Sequence, residues 1–309
     1  MDRCPDKVFE KWWGKGMKTS DLFAKLFVTG RYFTIALRRC QDESVLKNRI
    51  FTPQYLMPAN GQEWFADPML VDAEGKTWLF YEAVLGDKGH IEVAQVFDDC
   101  TLGTPAVVLK DDCHYSYPFV FQHENTWYMI PESSASSEVR LYRATSFPEK
   151  WEKCAVLLRE RAVDSTVFEQ NGQLYLLTYC PMPDSERVVP QAYKLELGED
   201  KAELMPLQWQ DYDTLRVRGA GPVFLESGEQ YRPAQISREQ RYGDGLVFYR
   251  ICDPSEYKEE AICEMKSECL RIHGVYADGL HTYCRTDRFE AIDIRCGTVD
   301  YSKPFRKLF

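Results

Sequence analysis

The chain is predicted to be an all-β protein, a five-bladed β-propeller with a short helical N-terminal extension. Two observations carry this. A pattern of apolar opening, polar turn, aromatic-rich strand and alternating strand recurs four times at roughly fifty-residue spacing. Repeats of that period are the signature of four-stranded propeller blades. No linker or low-complexity stretch divides the repeats, so they belong to one ring.

Residues 1–30 read as the N-terminal extension, and 31–309 as the propeller. Within the extension, Asp21-Leu22-Phe23-Ala24-Lys25-Leu26-Phe27-Val28 is a short amphipathic segment that docks on the body or rests on a membrane. Gly30-Arg31-Tyr32-Phe33-Thr34-Ile35-Ala36-Leu37-Arg38 alternates as a strand does. The first repeat runs from Trp64-Phe65-Ala66-Asp67-Pro68 through the turn Glu74-Gly75-Lys76 to Trp78-Leu79-Phe80-Tyr81-Glu82 and Ile91-Glu92-Val93-Ala94. The second opens on Tyr117-Pro118-Phe119-Val120-Phe121 and turns at Glu124-Asn125. It continues as Trp127-Tyr128-Met129-Ile130-Pro131-Glu132 and Val139-Arg140-Leu141-Tyr142-Arg143. The third opens on Asp164-Ser165-Thr166-Val167-Phe168, turns at Asn171-Gly172 and continues as Leu174-Tyr175-Leu176-Leu177 and Gln191-Ala192-Tyr193-Lys194-Leu195. The fourth has Gly221-Pro222-Val223-Phe224, the turn Ser227-Gly228, Tyr231-Arg232-Pro233 and Leu246-Val247-Phe248-Tyr249-Arg250-Ile251. Such Gly- and Asn-bearing turns join strands. Glu256 to Lys266 is charged and reads as a helix or a long insertion. Strands at 279–284 and 290–295 form a degenerate fifth unit, which the strand at 31–38 completes. Closing the ring from both termini removes exposed sheet edges.

Bulk properties narrow the function. The 309 residues are 44% apolar and 28% charged, as in a globular protein. A net charge of −10 argues against nucleic acid or an anionic membrane as the main partner, because both need a cationic face. No run approaches the roughly 18 apolar residues of a membrane span. The eleven cysteines show no CxxC spacing and are odd in number, and no signal peptide precedes them. Reduced thiols in a cytoplasmic protein are the expectation, with no structural metal and no cofactor. His90, His114 and His123 show no ligand spacing, and no phosphate-cradling glycine loop or nucleophile elbow is present.

The inner strand of each blade lines the central channel, so residues at its start converge. These starts carry Asp67, Tyr117, Asp164 and Ala220-Gly221-Pro222. Carboxylates from separate blades suit glycoside chemistry, which needs one ionised group and one protonated group. Glu132 ends the second strand of its repeat and is the third candidate; Glu82, its counterpart, suggests a blade-packing role instead. Burial beside Trp64, Tyr115 and Tyr117 would raise a carboxyl pKa. The competing reading for each Asp is a cap on local backbone amides. Arg232 and Gln235 in Tyr231-Arg232-Pro233-Ala234-Gln235 offer a planar fork and an amide to a ligand, or Arg232 pairs a channel carboxylate. His281 is a further funnel candidate or a structural histidine. Trp64, Tyr117, Arg232, Gln235 and His281 thus form the candidate substrate-binding set.

Ala66-Asp67-Pro68 followed by Asp164-Ser165-Thr166-Val167-Phe168-Glu169-Gln170-Asn171-Gly172 resembles the five-bladed glycoside hydrolases of family 43. A more specific resemblance is to the N-terminal propeller domain of plant glucosamine inositolphosphorylceramide transferases and its bacterial relatives. Its matching pieces include Tyr115-Ser116-Tyr117-Pro118, Met129-Ile130-Pro131-Glu132-Ser133, Gly219-Ala220-Gly221-Pro222 and Tyr231-Arg232-Pro233-Ala234-Gln235. The family-43 resemblance implies Asp67 as general base and Asp164 as the carboxylate that positions substrate and tunes the acid. The acid Glu of that family has no counterpart here, where Ala220 stands before Gly221-Pro222. Either Glu132 serves as acid from another blade, or the site binds sugar without cleaving it.

Three functions remain open from the sequence. The leading one is a carbohydrate-active protein that hydrolyses or transfers a glycosyl unit with Asp67, Asp164 and Glu132. The second is a non-catalytic sugar-binding module serving a glycosyltransferase or glycan-assembly pathway. The third, a protein-interaction scaffold, leaves the aligned carboxylates unexplained. The expected partner is a carbohydrate or glycoconjugate.

Overall fold

A computed structural model describes residues 19–303 except 87, 199–201, 240 and 255. After helix α1 (Thr19–Phe27), strands β1 (Val28–Arg39) and β2 (Tyr55–Leu56) lead into the blades. The first comprises β3 (Glu63–Ala73), β4 (Lys76–Leu85), β5 (Lys88–Val96) and β6 (Ala106–Leu109). The second comprises β7 (Ser116–His123), β8 (Thr126–Glu132), β9 (Val139–Ser146) and β10 (Lys150–Leu158). The third is β11 (Val163–Gln170), β12 (Gln173–Pro181), β13 (Val188–Leu197) and β14 (Ala202–Leu207). The fourth is β15 (Phe224–Glu226), β16 (Glu229–Arg238), β17 (Arg241–Asp253) and β18 (Lys258–Lys266). The fifth unites both ends of the chain: β19 (Tyr276–Gly279) and β20 (Tyr283–Arg285) pair with β21 (Phe289–Val299), which pairs with β1 and then β2. The expected five blades and the N-terminal strand in the last blade are present.

Local chemistry explains the blades. The first hairpin of each of the first four turns at Glu74-Gly75, Glu124-Asn125, Asn171-Gly172 or Ser227-Gly228, and all these residues have positive φ. Two left-handed residues in a two-residue loop match the twist of the strands they join. The repeats showed three strands of each blade. The outer fourth strands escaped notice because they are short or largely exposed and carry no apolar alternation, as the burial of β10 and β14 shows. Glu256 to Lys266 is neither helix nor insertion: Lys258–Lys266 is β18, paired along β17.

Apolar surface is buried mainly between adjacent blades. Phe80 of the first blade meets Trp151 and Phe147 of the second, and Phe147 stacks on Trp127 at 4.5 Å. Phe224 and Phe248 of the fourth meet Tyr283 of the fifth. α1 docks on the body through Phe23 on Tyr276 and Phe27 on Tyr301. The expected extension at 1–30 falls partly on residues 1–18, outside the described residues.

Candidate functional site

The channel is shaped by one device used four times. Asp67, Tyr117, Asp164 and Gly221 occupy the same point of successive inner segments, with φ of 52°, 42°, 50° and 131°. The first three sit where strand register breaks against the neighbouring strand. Such bulges bend a strand and re-aim its groups. Here the freed amides reach across blades. Asp67 N–H donates to Asp293 Oδ2 at 3.1 Å, Tyr117 N–H to Asp67 Oδ2 at 3.1 Å, and Gly221 N–H to the Tyr117 hydroxyl at 2.7 Å.

Two linked groups of charges result. In the first, Asp67 Oδ1 accepts from the Thr282 hydroxyl at 2.8 Å and lies 3.5 Å from His281 Nε2. His281 Nδ1 is 2.6 Å from Asp293 Oδ2. Burial pushes the Asp67 carboxyl up to about 7; His281 opposes the shift, while Glu82, Asp293 and Asp164 add to it. Burial disfavours the charged form of His281, but the Asp293, Asp67 and Asp164 carboxylates together outweigh it and raise this pKa. In the second group, Asp164 Oδ2 is bonded by Arg218 Nε and accepts from Gln235 Nε2 at 3.1 Å. Arg218 also reaches Glu132 at 3.6 Å, and Ser134 Oγ donates to Glu132 at 2.9 Å. Burial and the adjacent Asp164 charge hold Glu132 well above the ordinary carboxyl range, against the pull of Arg218.

Tyr242 joins the groups. Its ring lies 4.8 Å from the Arg218 guanidinium and 4.8 Å from the His281 ring. Phe33 packs 4.5 Å from His281 and 6.0 Å from Trp64, which extends the aromatic wall. Asp67, Asp164 and Glu132 side chains are only 7%, 2% and 12% exposed, so the centre is nearly shielded from water. Two surface clefts of about 620 and 520 Å³ are lined by other residues, around Phe97 and Arg288 and around Gln210 and Lys258.

The structure therefore brings together Asp67, Asp164, Glu132, Gln235 and His281, with Trp64 at the edge. Tyr117 is present but its hydroxyl is committed to Gly221 and, at 3.0 Å, to Thr166. Arg232 is a correction. It is 1% exposed, and its fork grips Glu259 at 2.6 and 2.8 Å rather than a ligand or a channel carboxylate. Trp209, Tyr179 and Tyr249 surround its guanidinium, so it locks the third blade to the fourth. The arginine of the centre is Arg218. Glu82 takes no part in blade packing alone: its carboxyl meets His114 at 3.0 Å and adds to the field on Asp67. The Tyr115 hydroxyl donates to Asp111 at 2.8 Å and meets the Tyr142 hydroxyl at 3.1 Å.

Sequence reasoning passed over Arg218, Asp293 and Tyr242. Asp293 had a signal, an acid inside the apolar run Ala291-Ile292-Asp293-Ile294. Asp67, His281 and Asp293 each offer a ligand atom, all within 4.8 Å of one another, a set able to hold a cation. Hard oxygen donors with one imidazole suit several divalent ions.

Residues 45–273 match the family model described as "Glucosamine inositolphosphorylceramide transferase 1, N-terminal". The protein named glucosamine inositolphosphorylceramide transferase 1 from Oryza sativa subsp. japonica is 32% identical over 208 residues, 63% of this chain and 27% of that protein. The chain spans about 27% of the length of the curated relatives it matches. Among solved structures, the catalytic domain of a Coprinopsis cinerea GH62 α-L-arabinofuranosidase superposes with a TM-score of 0.56 at 12% identity, covering 88% of this chain and 97% of that one. The α-L-arabinofuranosidase from Lactobacillus brevis gives 0.52 at 14% identity over 72% and 79%. These likenesses are of fold.

Proposed function

This chain belongs to the glucosamine inositolphosphorylceramide transferase 1 N-terminal family, and we propose on that footing that its propeller recognises the glycan of a glycoconjugate at the channel. One observation carries the reading: carboxyl groups from three separate elements, Asp67, Asp164 and Glu132, converge beside an aromatic wall. Sugars are bound by such pairings, with rings against apolar faces and carboxylates or amides on hydroxyls. The wall of Trp64, Phe33 and Tyr242 supplies the first, and Gln235 with the acids supplies the second. The names of the related transferase and of the arabinofuranosidases sharing the fold support a glycan as partner.

Recognition stands ahead of catalysis because Ala220 is fully buried, with its N–H on Pro233 O and its carbonyl accepting from Tyr283. No carboxyl can act from that position. Catalysis is the second reading, and the proton affinities favour it. Asp67, close to half ionised at neutral pH, would take a proton from the attacking water or hydroxyl. Glu132, protonated, would give one to the leaving oxygen.

Binding of the folded chain to a glycan panel tests the first reading. Saturable binding should be weakened by Trp64→Ala and by Asp67→Asn; a folded wild type that binds no glycan would sink it. Turnover of an activated aryl glycoside and of a plain disaccharide tests the second. Glu132→Gln should then lose roughly 10²- to 10⁴-fold on the plain sugar and little on the activated one. Equal loss on both removes Glu132 as acid.

A further inference from the structure

A cationic cluster flanks the centre where the fourth blade meets the fifth, in a chain whose net charge is −10. Four arginines share two carboxylates. Asp278 is met by Arg31 at 3.1 Å, by Arg295 Nε at 2.8 Å and by Arg241 at 3.4 Å. Asp244 is met by Arg241 Nε at 2.5 Å, by Arg295 at 3.5 Å and by Arg238 Nε. Counting these six side chains, four positive charges stand against two negative, a residue of two positive charges. The two acids are nearly buried, at 4% and 12% exposure, whereas Arg238, Arg241 and Arg31 are 72%, 37% and 39% exposed. The guanidiniums of Arg31, Arg238 and Arg241 therefore present their outer edges to solvent, while the two acids and the 10% exposed Arg295 hold them in place from beneath.

The cluster adjoins the carboxylate centre. Arg295 donates to the carbonyl of Tyr242, whose ring separates Arg218 from His281. Arg238 and Arg241 flank the β16–β17 turn. That turn lies at the same end of its blade as the β8–β9 connection, where Glu132 and Ser134 approach Arg218. Both features thus open on one face.

We propose that Arg31, Arg238 and Arg241, held by Asp244, Asp278 and Arg295 beneath them, form a subsite for a phosphate ester carried by the glycoconjugate, an inference that rests on the glycan reading above. Each guanidinium has five donors in a planar fork. The exposed donors come from β1 and from both sides of the β16–β17 turn, so they approach an anion from several directions. That suits the three oxygens of a tetrahedral phosphate better than a planar carboxylate, which one fork satisfies. A phosphate monoester carries about −1.5 to −2 charge at neutral pH, which balances the excess of the cluster. Asp244 and Asp278 offset two of the four positive charges, and an anion would offset the remainder.

Titration with inorganic phosphate, glucose 1-phosphate and glucose, followed by amide chemical shifts, tests the site. Phosphate and glucose 1-phosphate should shift resonances of the β16–β17 turn, and Arg238→Gln with Arg241→Gln should weaken both by about tenfold or more. Arg238→Gln alone, at an exposed position, keeps the test open if the double variant folds poorly. Arg143→Gln, which removes an exposed partner of Glu152 on the second blade, is the control and should change nothing. Phosphate binding without any added affinity from the sugar supports the subsite while counting against the glycan reading. The proposal is overturned if phosphate gives no saturable response, or if Arg143→Gln weakens it as much as the turn variants do.

Discussion

Asp67 is buried among charges that pull its proton affinity in both directions, and burial wins. Its pKa rises from 3.8 unfolded to about 7 folded, so the folded state favours the protonated acid. The linkage has a definite sign. Stability from this group is present at low pH and is lost as pH rises from 3.8 to about 7. Glu132, also raised, acts in the same sense. His281, raised above 6.5, contributes stability below that value and loses it as pH climbs through its folded pKa. All three slopes point one way. The melting temperature should therefore fall between about pH 4 and pH 8, by an amount worth on the order of a few kcal/mol. Asp67→Asn should flatten that slope; scans across the range that show equal slopes would refute the assignment. Much of this centre was legible, because matching places in the repeats singled out Asp67 and Asp164, and the motifs around them led to Glu132, Gln235 and His281. Arg218 was not, and Arg232 was chosen in its place. A sequence shows that an arginine is near a motif, but which acid it will pair depends on how two blades meet.

At the scale of elements, the repeat marks where each inner segment begins but not its backbone conformation. Asp67, Tyr117, Asp164 and Gly221 share a left-handed or related φ, an unusual demand on the first three, which are not glycine. The cross-blade amide bonds described above explain why the strain persists at three of these positions: Asp67, Tyr117 and Gly221 each point an N–H at a side chain of another blade. Gly221 is the position with least freedom. A Cβ there would lie 1.9 Å from the Tyr283 carbonyl oxygen, at a φ of +131° that side chains rarely adopt. Gly221→Ala should cost more than about 4 kcal/mol in urea denaturation. Gly228, in an exposed hairpin turn with nothing within 4 Å of a Cβ, should tolerate alanine at a cost of about 1–2 kcal/mol. Similar losses at both would mean that the packing at Tyr283 contributes nothing. The outer strands were the least legible elements, since an exposed edge needs no apolar alternation to pair.

At the scale of the whole molecule, stability depends on joining the two ends of the chain. β1 runs antiparallel along β21 from Val28 opposite Val299 to Arg39 opposite Phe289, and this pairing closes the ring. The alternation at 31–38 made the strand legible, and the need to cover sheet edges supplied its partner. What the sequence could not show is the buried clasp beneath it. Arg38 donates to Glu290 at 2.6 Å, with the side chains 5% and 2% exposed. Arg38 also bonds the Ile50 carbonyl at 2.8 Å and lies over the Phe51 ring at 4.3 Å, while the Tyr283 hydroxyl donates to Glu290 at 2.7 Å. A buried pair of this kind need not add much net stability, but removing one partner strands the other charge. Arg38→Ala should therefore cost about 3–5 kcal/mol. Replacing both charges, as Arg38→Met with Glu290→Gln, should recover part of that loss, because the amide remains neutral and can still accept from Tyr283. Chemical denaturation of the two variants checks the account: if the double variant is less stable than Arg38→Ala, the penalty does not come from an uncompensated Glu290, and the clasp is a packing contact rather than a charge pair.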